Sequence, residues 1–161
     1  MRLIYAVALL YVFQLANASA AAQDTDPEPR LTHTSPELER RDRAVAQEDV
    51  AILIRAEEIL ADESTWNRED DRICSDDESA GQWSLFCALQ KASTEVLGAY
   101  DHRRVALQEV RFAIVDVTDG REFAHRLQDY NNLHETRFDD VKQVLEVARE
   151  RVSVRLANGE N

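Results

Sequence analysis

His125 and Asp129 stand four residues apart, a spacing that turns both side chains to one face if the segment is helical. An imidazole beside a carboxylate is the base-and-orienter half of a nucleophilic site. A small hydrolase using His125 and Asp129, with His102 nearby, is the reaction class such a pair would serve. No G-x-S-x-G marks a nucleophile, and Ser84 and Ser93 read as ordinary helix residues. The plainer reading is a local helix hydrogen bond. A second group is acidic: Glu69, Asp70, Asp71, Asp76, Asp77 and Glu78 surround Arg72. Hard cations want several oxygens on a flexible loop, so calcium is the ion to consider. The run lacks the spaced D-x-D-x-D-G of an EF-hand, however, and Arg72 in its middle is open to carboxylates elsewhere in the fold. A solvated, solubilising loop explains it equally. His102, Arg103 and Arg104 lie at an expected helix start, where N–H groups and the dipole favour anions; arginines pairing with local acids are the alternative. His125 and His134 lack the spacing of a zinc motif. The sequence therefore assigns no catalytic residue, no cofactor and no metal ligand.

Stepping outward from these residues, Met1-Arg2 precedes an apolar run from Leu3 to Leu15, and Ala16, Ala18, Ser19, Ala20, Ala21 and Ala22 follow. A charged start, a short apolar middle and an A-x-A exit form the pattern of a secretory signal peptide. We expect cleavage after Ala20, or after Ala22. An uncleaved anchor is the competing reading, but the apolar run is shorter than the roughly 20 residues of a spanning helix. No later stretch is apolar enough to span, so no membrane association is expected after cleavage. Export, to a periplasm or outside the cell, places Cys74 and Cys87 where they can be oxidised. Two cysteines allow one pairing, and their spacing is wider than the C-x-x-C of a redox site. A structural disulfide closing this short loop is worth about 3 kcal/mol in the chain-entropy model.

The formal net charge is −12, one unit more negative once Arg2 is removed. Nucleic acid and anionic lipid are repelled by such a chain. The negative field is concentrated: Asp62 to Glu78 holds eight acids against Arg68 and Arg72, whereas residues 101–156 are close to neutral.

Residues 23–34, with two prolines and little apolar matter, read as a flexible leader. Ser35-Pro36-Glu37 is a helix-start signal, predicting a first helix to about Ala61. Residues 62–80 read as one long acidic loop. A second helix is expected from about Gln82 to Gly98, with Trp83 starting its apolar face. A third is expected over Asp101–Val117, with Arg104, Gln108 and Arg111 on its polar side. A short fourth follows from Arg121 to Tyr130, broken by Asn131-Asn132. Thr136 to Asp139 resembles a capping box for a last helix ending near Leu156. The period-3.6 apolar positions and the lack of convincing strands give an all-α bundle of four to five helices, one domain over residues 35–156 with a tail at 157–161. Trp66 reads as the residue that packs the acidic loop down; if exposed it would mark a contact surface.

From about Val50 to residue 150 the order of features resembles a family of short bacterial helical domains of unknown function. The matching pieces are Ile54-Arg55-Ala56…Leu60 before Trp66, then Cys74, Cys87-Ala88-Leu89…Ala92, and later Tyr130-Asn131-Asn132, Thr136, Val141, Leu145 and Ala148. Asn132 stands where that family's pattern has an acid. The resemblance implies a helical fold and contributes no catalytic residue. Together these features lead us to expect a non-enzymatic interaction or binding module. Its candidate surface is Trp66, Asp70, Asp71, Asp76, Asp77, His102, Arg104, His125 and Asp129, and a basic protein is the partner its charge would suit. Oligomeric state is not encoded in any pattern we recognise.

Overall fold

The computed structural model describes Arg41 and residues 43–160. The expected signal peptide, the leader and the Ser35 helix start lie outside the described residues. Six α-helices follow one another: α1 (Gln47–Ile59), α2 (Cys74–Ala80), α3 (Leu85–Leu97), α4 (Val105–Val117), α5 (Arg126–Asn132) and α6 (Phe138–Ala157). A 3-10 turn at Glu63–Thr65 lies between α1 and α2. The described residues are all-α as the periodicity predicts, but with six helices rather than four to five.

The additional helix is α2. Its seven residues carry no apolar stripe, so the sequence reads as loop. Three features make it a helix instead. Asp76 and Asp77 lie in the first turn, at the positive end of the dipole. Gly81 closes the end in a left-handed conformation at φ 68°. A Cys74–Cys87 disulfide pins its first residue to α3.

Other boundaries shift for identifiable reasons. Helix α1 does not reach back through Arg43 to Ala46, because Ala46 is extended and its N–H donates to Asp49 Oδ2 at 2.9 Å. Asp101 to Arg104 form a turn, with the Arg103 N–H on Asp101 Oδ1 at 2.9 Å, so α4 begins at Val105. Phe123 is buried but precedes α5. Asn131 and Asn132 are the last residues of α5 rather than the break that ends the helix at Tyr130. The cap of α6 is one residue later than the pattern suggests: the Arg137 N–H donates to Asp140 Oδ2 at 2.8 Å, while the Thr136 hydroxyl donates to the Tyr130 carbonyl. Trp83 precedes the Ser84 N-cap and is only half-buried, with Lys91 Nζ 4.7 Å from its ring centroid. Among the described residues the only β pairing is a single bridge between Trp66 and Trp83.

Helix α6 lies along α4 and α1, α1 packs on α3, and α5 bridges α4 and α3. Ile52, Leu53, Leu89, Leu107, Ile114 and Leu145 are fully buried where these faces meet. Burial of such side chains contributes about 1.5–3 kcal/mol each. Two acids are buried with them. Asp49 joins the starts of α1 and α4, pairing with Arg104 and accepting the Ala106 N–H. Glu109 on α4 takes Arg41 and Arg155, each at 2.9 Å. Gln108, expected on a polar face, is likewise buried. Among the described residues no helix is long and apolar enough to cross a membrane.

Cys87 is buried and Cys74 half-buried, so the disulfide fastens an exposed segment to the core. We expect Cys87→Ser to lower stability by about 2–4 kcal/mol and to melt α2 first. Urea unfolding of oxidised and reduced chains checks this. Equal midpoints would show that the bond contributes nothing.

Candidate functional site

The segment from Trp66 to Ser84 wraps one corner of the bundle, and most of its polar groups are committed to holding it there. Asn131, at the end of α5, is the centre of this corner. Its Oδ1 accepts the Trp66 indole N–H at 2.8 Å and the Leu85 N–H at 3.1 Å. Its Nδ2 donates to the carbonyls of Asn67 and Arg68, each at 3.0 Å. Asn132 pairs reciprocally with the Asp70 backbone, accepting its N–H at 2.8 Å and donating to its carbonyl at 2.9 Å. Trp66 is buried, with its ring centroid 6.0 Å from that of Phe138. It packs the loop down and forms no contact surface.

The acids of the run act singly. Asp77 is buried, with Oδ2 accepting the Ser84 N–H at 2.8 Å and Oδ1 accepting from Asn67. Asp71 caps the Ile73 N–H at 2.8 Å. Asp70 is buried and accepts the Arg72 N–H at 2.7 Å. Burial raises its carboxyl above the usual range, against the hydrogen bonds from Arg72 and Ser84. Asp71 and Asp76 are exposed. Among the described residues no group of three His, Cys, Asp or Glu is placed to hold a metal ion.

His125 and Asp129 meet at the start of α5. His125 is the N-cap of α5, and Asp129 Oδ2 accepts its backbone N–H at 2.7 Å. The imidazole Nε2 lies 3.3 Å from an Arg72 guanidinium nitrogen instead. The Asp129 N–H donates back to the His125 carbonyl at 2.7 Å, so the two residues are joined through the backbone at the start of α5. His102 is exposed, on the turn before α4. Arg104 is claimed by Asp49 at 2.9 Å and Glu48 at 3.6 Å. Arg72, expected to attract carboxylates, contacts His125 and lies 5.7 Å from the Phe86 ring centroid.

Exposed at this corner are Glu69, Asp71, Asp76 and Glu78, the last paired with Lys91 at 3.0 Å, together with Arg72 and with Ile73, which is 50% exposed. A groove of about 540 Å³ beside it is lined by Arg68, Glu69, Asp70, Asp71, Asn132 and His134. Sequence reasoning missed Asn131 as the joint of the corner. The nearest signal was a pair of asparagines, which turn chemistry explains as well.

Tyr130 belongs to the same joint, and burial pushes its phenol up to about 12. Burial raises Tyr100 as well. A raised phenol means that the folded chain holds its proton more tightly than the unfolded one. Stability is therefore intact below pH about 10 and is lost as pH rises through the folded values. From residue 21 onward Tyr100 and Tyr130 are the only tyrosines. Phenolate absorbance of that folded chain should appear at higher pH than in the urea-unfolded chain; coincident curves would refute the burial effect.

Fold and corner together define a compact all-helical bundle domain, stapled by one disulfide and closed by a buried asparagine joint. The chain belongs to the family of unknown function DUF6197, whose model matches residues 44–151. Several residues that carried the resemblance meet at the corner: Trp66 on Asn131, Cys74 on Cys87, and Thr136 on Tyr130. No curated protein matches the chain, and no solved structure does.

Proposed function

We propose that this is an exported, non-enzymatic interaction module that docks a basic partner on the rim around α2. The observation that carries the reading is Ile73, half-exposed among Glu69, Asp71, Asp76 and Glu78. An exposed apolar side chain in a mainly acidic stretch of sequence has the anatomy of a small interface. The disulfide and the Asp77–Ser84 bond hold the rim in place before binding, which limits the ordering cost on association. The acids mainly raise the association rate, and salt screens that effect. Export rests on the signal-peptide pattern of residues 1–22. Mass spectrometry of the protein recovered from its host should find a chain beginning at Ala21 or Gln23; an intact Met1 would overturn export.

A Lys/Arg-rich peptide with one central leucine is the probe for the rim. We expect its affinity to fall about tenfold between low and high salt, as exposed charge pairs are screened. Ile73→Ser together with Asp76→Asn should weaken it further. Affinity that ignores both salt and the double variant would sink the proposal.

A further inference from the structure

A groove of about 320 Å³ runs beside the Cys74–Cys87 bond, and both cysteines line it together with Glu78, Trp83, Lys91 and Glu95. The two cysteines differ in access: Cys74 is half-buried, whereas Cys87 keeps 1% of its surface. A thiolate arriving from solvent therefore meets Cys74 first. The carboxylates in the lining are already matched. Lys91 Nζ lies 3.0 Å from Glu78 and 3.4 Å from Glu95, and Glu95 also pairs with Arg55. An incoming thiolate thus meets no unpaired carboxylate in the groove wall. Cys87 is the third residue of α3, whose first turn holds no acid, and its N–H donates to the Ser84 hydroxyl oxygen at 3.2 Å. The start of that helix favours negative charge on the Cys87 sulfur as it departs.

Little else ties α2 to the bundle. Asp77 is its only buried residue, so the helix brings no apolar side chain to the core. Its other side-chain ties are the Asp77 bonds to Ser84 and Asn67 and the exposed Glu78–Lys91 pair. A helix of seven residues is too short to persist alone in water. The order of α2 therefore depends on a bond that one accessible cysteine leaves open to attack.

We propose that Cys74–Cys87 is a thiol-exchange site, which a dithiol reductant opens in the folded chain to release α2. One thiolate of the reductant attacks the Cys74 sulfur. The bond between the cysteines breaks, and its electron pair leaves on the Cys87 sulfur, which takes a proton from water. The second thiolate of the same reductant then attacks the reductant sulfur joined to Cys74, which closes the reductant's own disulfide and frees the Cys74 thiolate. Two electrons pass from the dithiol to the protein, leaving two protein thiols and one oxidised reductant. The staple of the corner is thereby also the point at which the corner opens. No step requires a partner on the acidic rim, so each proposal stands or falls without the other.

The test is reduction of the oxidised protein by dithiothreitol without denaturant, timed by mass spectrometry of acid-quenched samples. The rate should rise in proportion to dithiothreitol and stay unchanged in low urea. A rate that levels off with dithiothreitol, or that climbs with urea as unfolding does, would overturn the proposal, because the bond would then open only when the bundle does. Glutathione, a monothiol, reports which sulfur is attacked. Peptide mapping should place its mixed disulfide on Cys74, and glutathione found chiefly on Cys87 would overturn the proposal. Amide hydrogen exchange of the reduced protein reads the release: residues 74–80 should exchange at least tenfold faster while α4 and α6 keep their protection. Unchanged protection in α2, or loss of helical signal across the whole bundle, would refute the release.

Discussion

Asn131→Ala is expected to lower the unfolding free energy by about 3–5 kcal/mol, the largest effect of any single polar substitution in this chain. Asn131 is fully buried. Removing its amide strands the Trp66 indole N–H and the Leu85 N–H, and leaves the carbonyls of Asn67 and Arg68 without their donor. Each buried polar group left unmatched costs about 1–3 kcal/mol, with some relief where the loop relaxes toward water. The loss is directional: the Trp66 segment should detach from α3 and α5 before the bundle unfolds. Urea unfolding followed by helical circular dichroism gives the total, and tryptophan fluorescence reports the corner. Asn132→Ala is the comparison. Its side chain bonds only the Asp70 backbone and an Asn131 nitrogen at an exposed position, so about 1 kcal/mol is expected. A loss below 1 kcal/mol for Asn131→Ala would show that the joint does not carry the corner.

Asp49→Ala should be nearly as damaging, at about 3–5 kcal/mol. The carboxylate has no exposed surface. Oδ2 accepts the Ala46 N–H at the start of α1, Oδ1 accepts the Ala106 N–H in the first turn of α4, and Arg104 Nε lies 2.9 Å away. One charge therefore answers two helix N-termini and a partly buried guanidinium. Deleting it leaves both N–H groups without an acceptor and Arg104 with only the longer contact to Glu48 at 3.6 Å, in a poorly solvated place. Asp49→Asn keeps the volume and one acceptor, and about half the loss is expected. The contrast is the surface pair Arg151–Asp116, whose carboxylate is 58% exposed. Asp116→Asn should change stability by less than about 0.5 kcal/mol. Midpoint shifts in urea at constant slope measure all three. A small loss at Asp49, comparable to that at Asp116, would refute the account.

The apolar faces were legible because helical periodicity is local. Ile52 and Leu53, Leu89 and Ala92, Val110 and Ile114, and Val144, Leu145 and Ala148 recur at three- and four-residue spacing, and each is fully buried. The cysteine pairing was legible because two cysteines allow only one intramolecular bond. Helix α2 was not legible: its residues are polar and its helix is imposed by a disulfide, a left-handed glycine and the Asp77–Ser84 bond. The four-residue His125–Asp129 spacing was legible, but the helix start at Arg126, which places the His125 N–H on the Asp129 carboxylate, was not. A one-residue boundary is finer than propensity resolves.

Residue order alone thus determined the helical class, the single core, the charge imbalance and the disulfide, since each follows from composition or from neighbours within two turns. Tertiary structure alone decided which polar residues are structural and which face outward. Asn131 finds Trp66 across 65 residues, Arg72 finds His125 across 53, and Arg149 finds Glu57 across 92. A buried polar group must be satisfied by whatever the packing brings near, and packing across such separations leaves no periodic mark in the sequence.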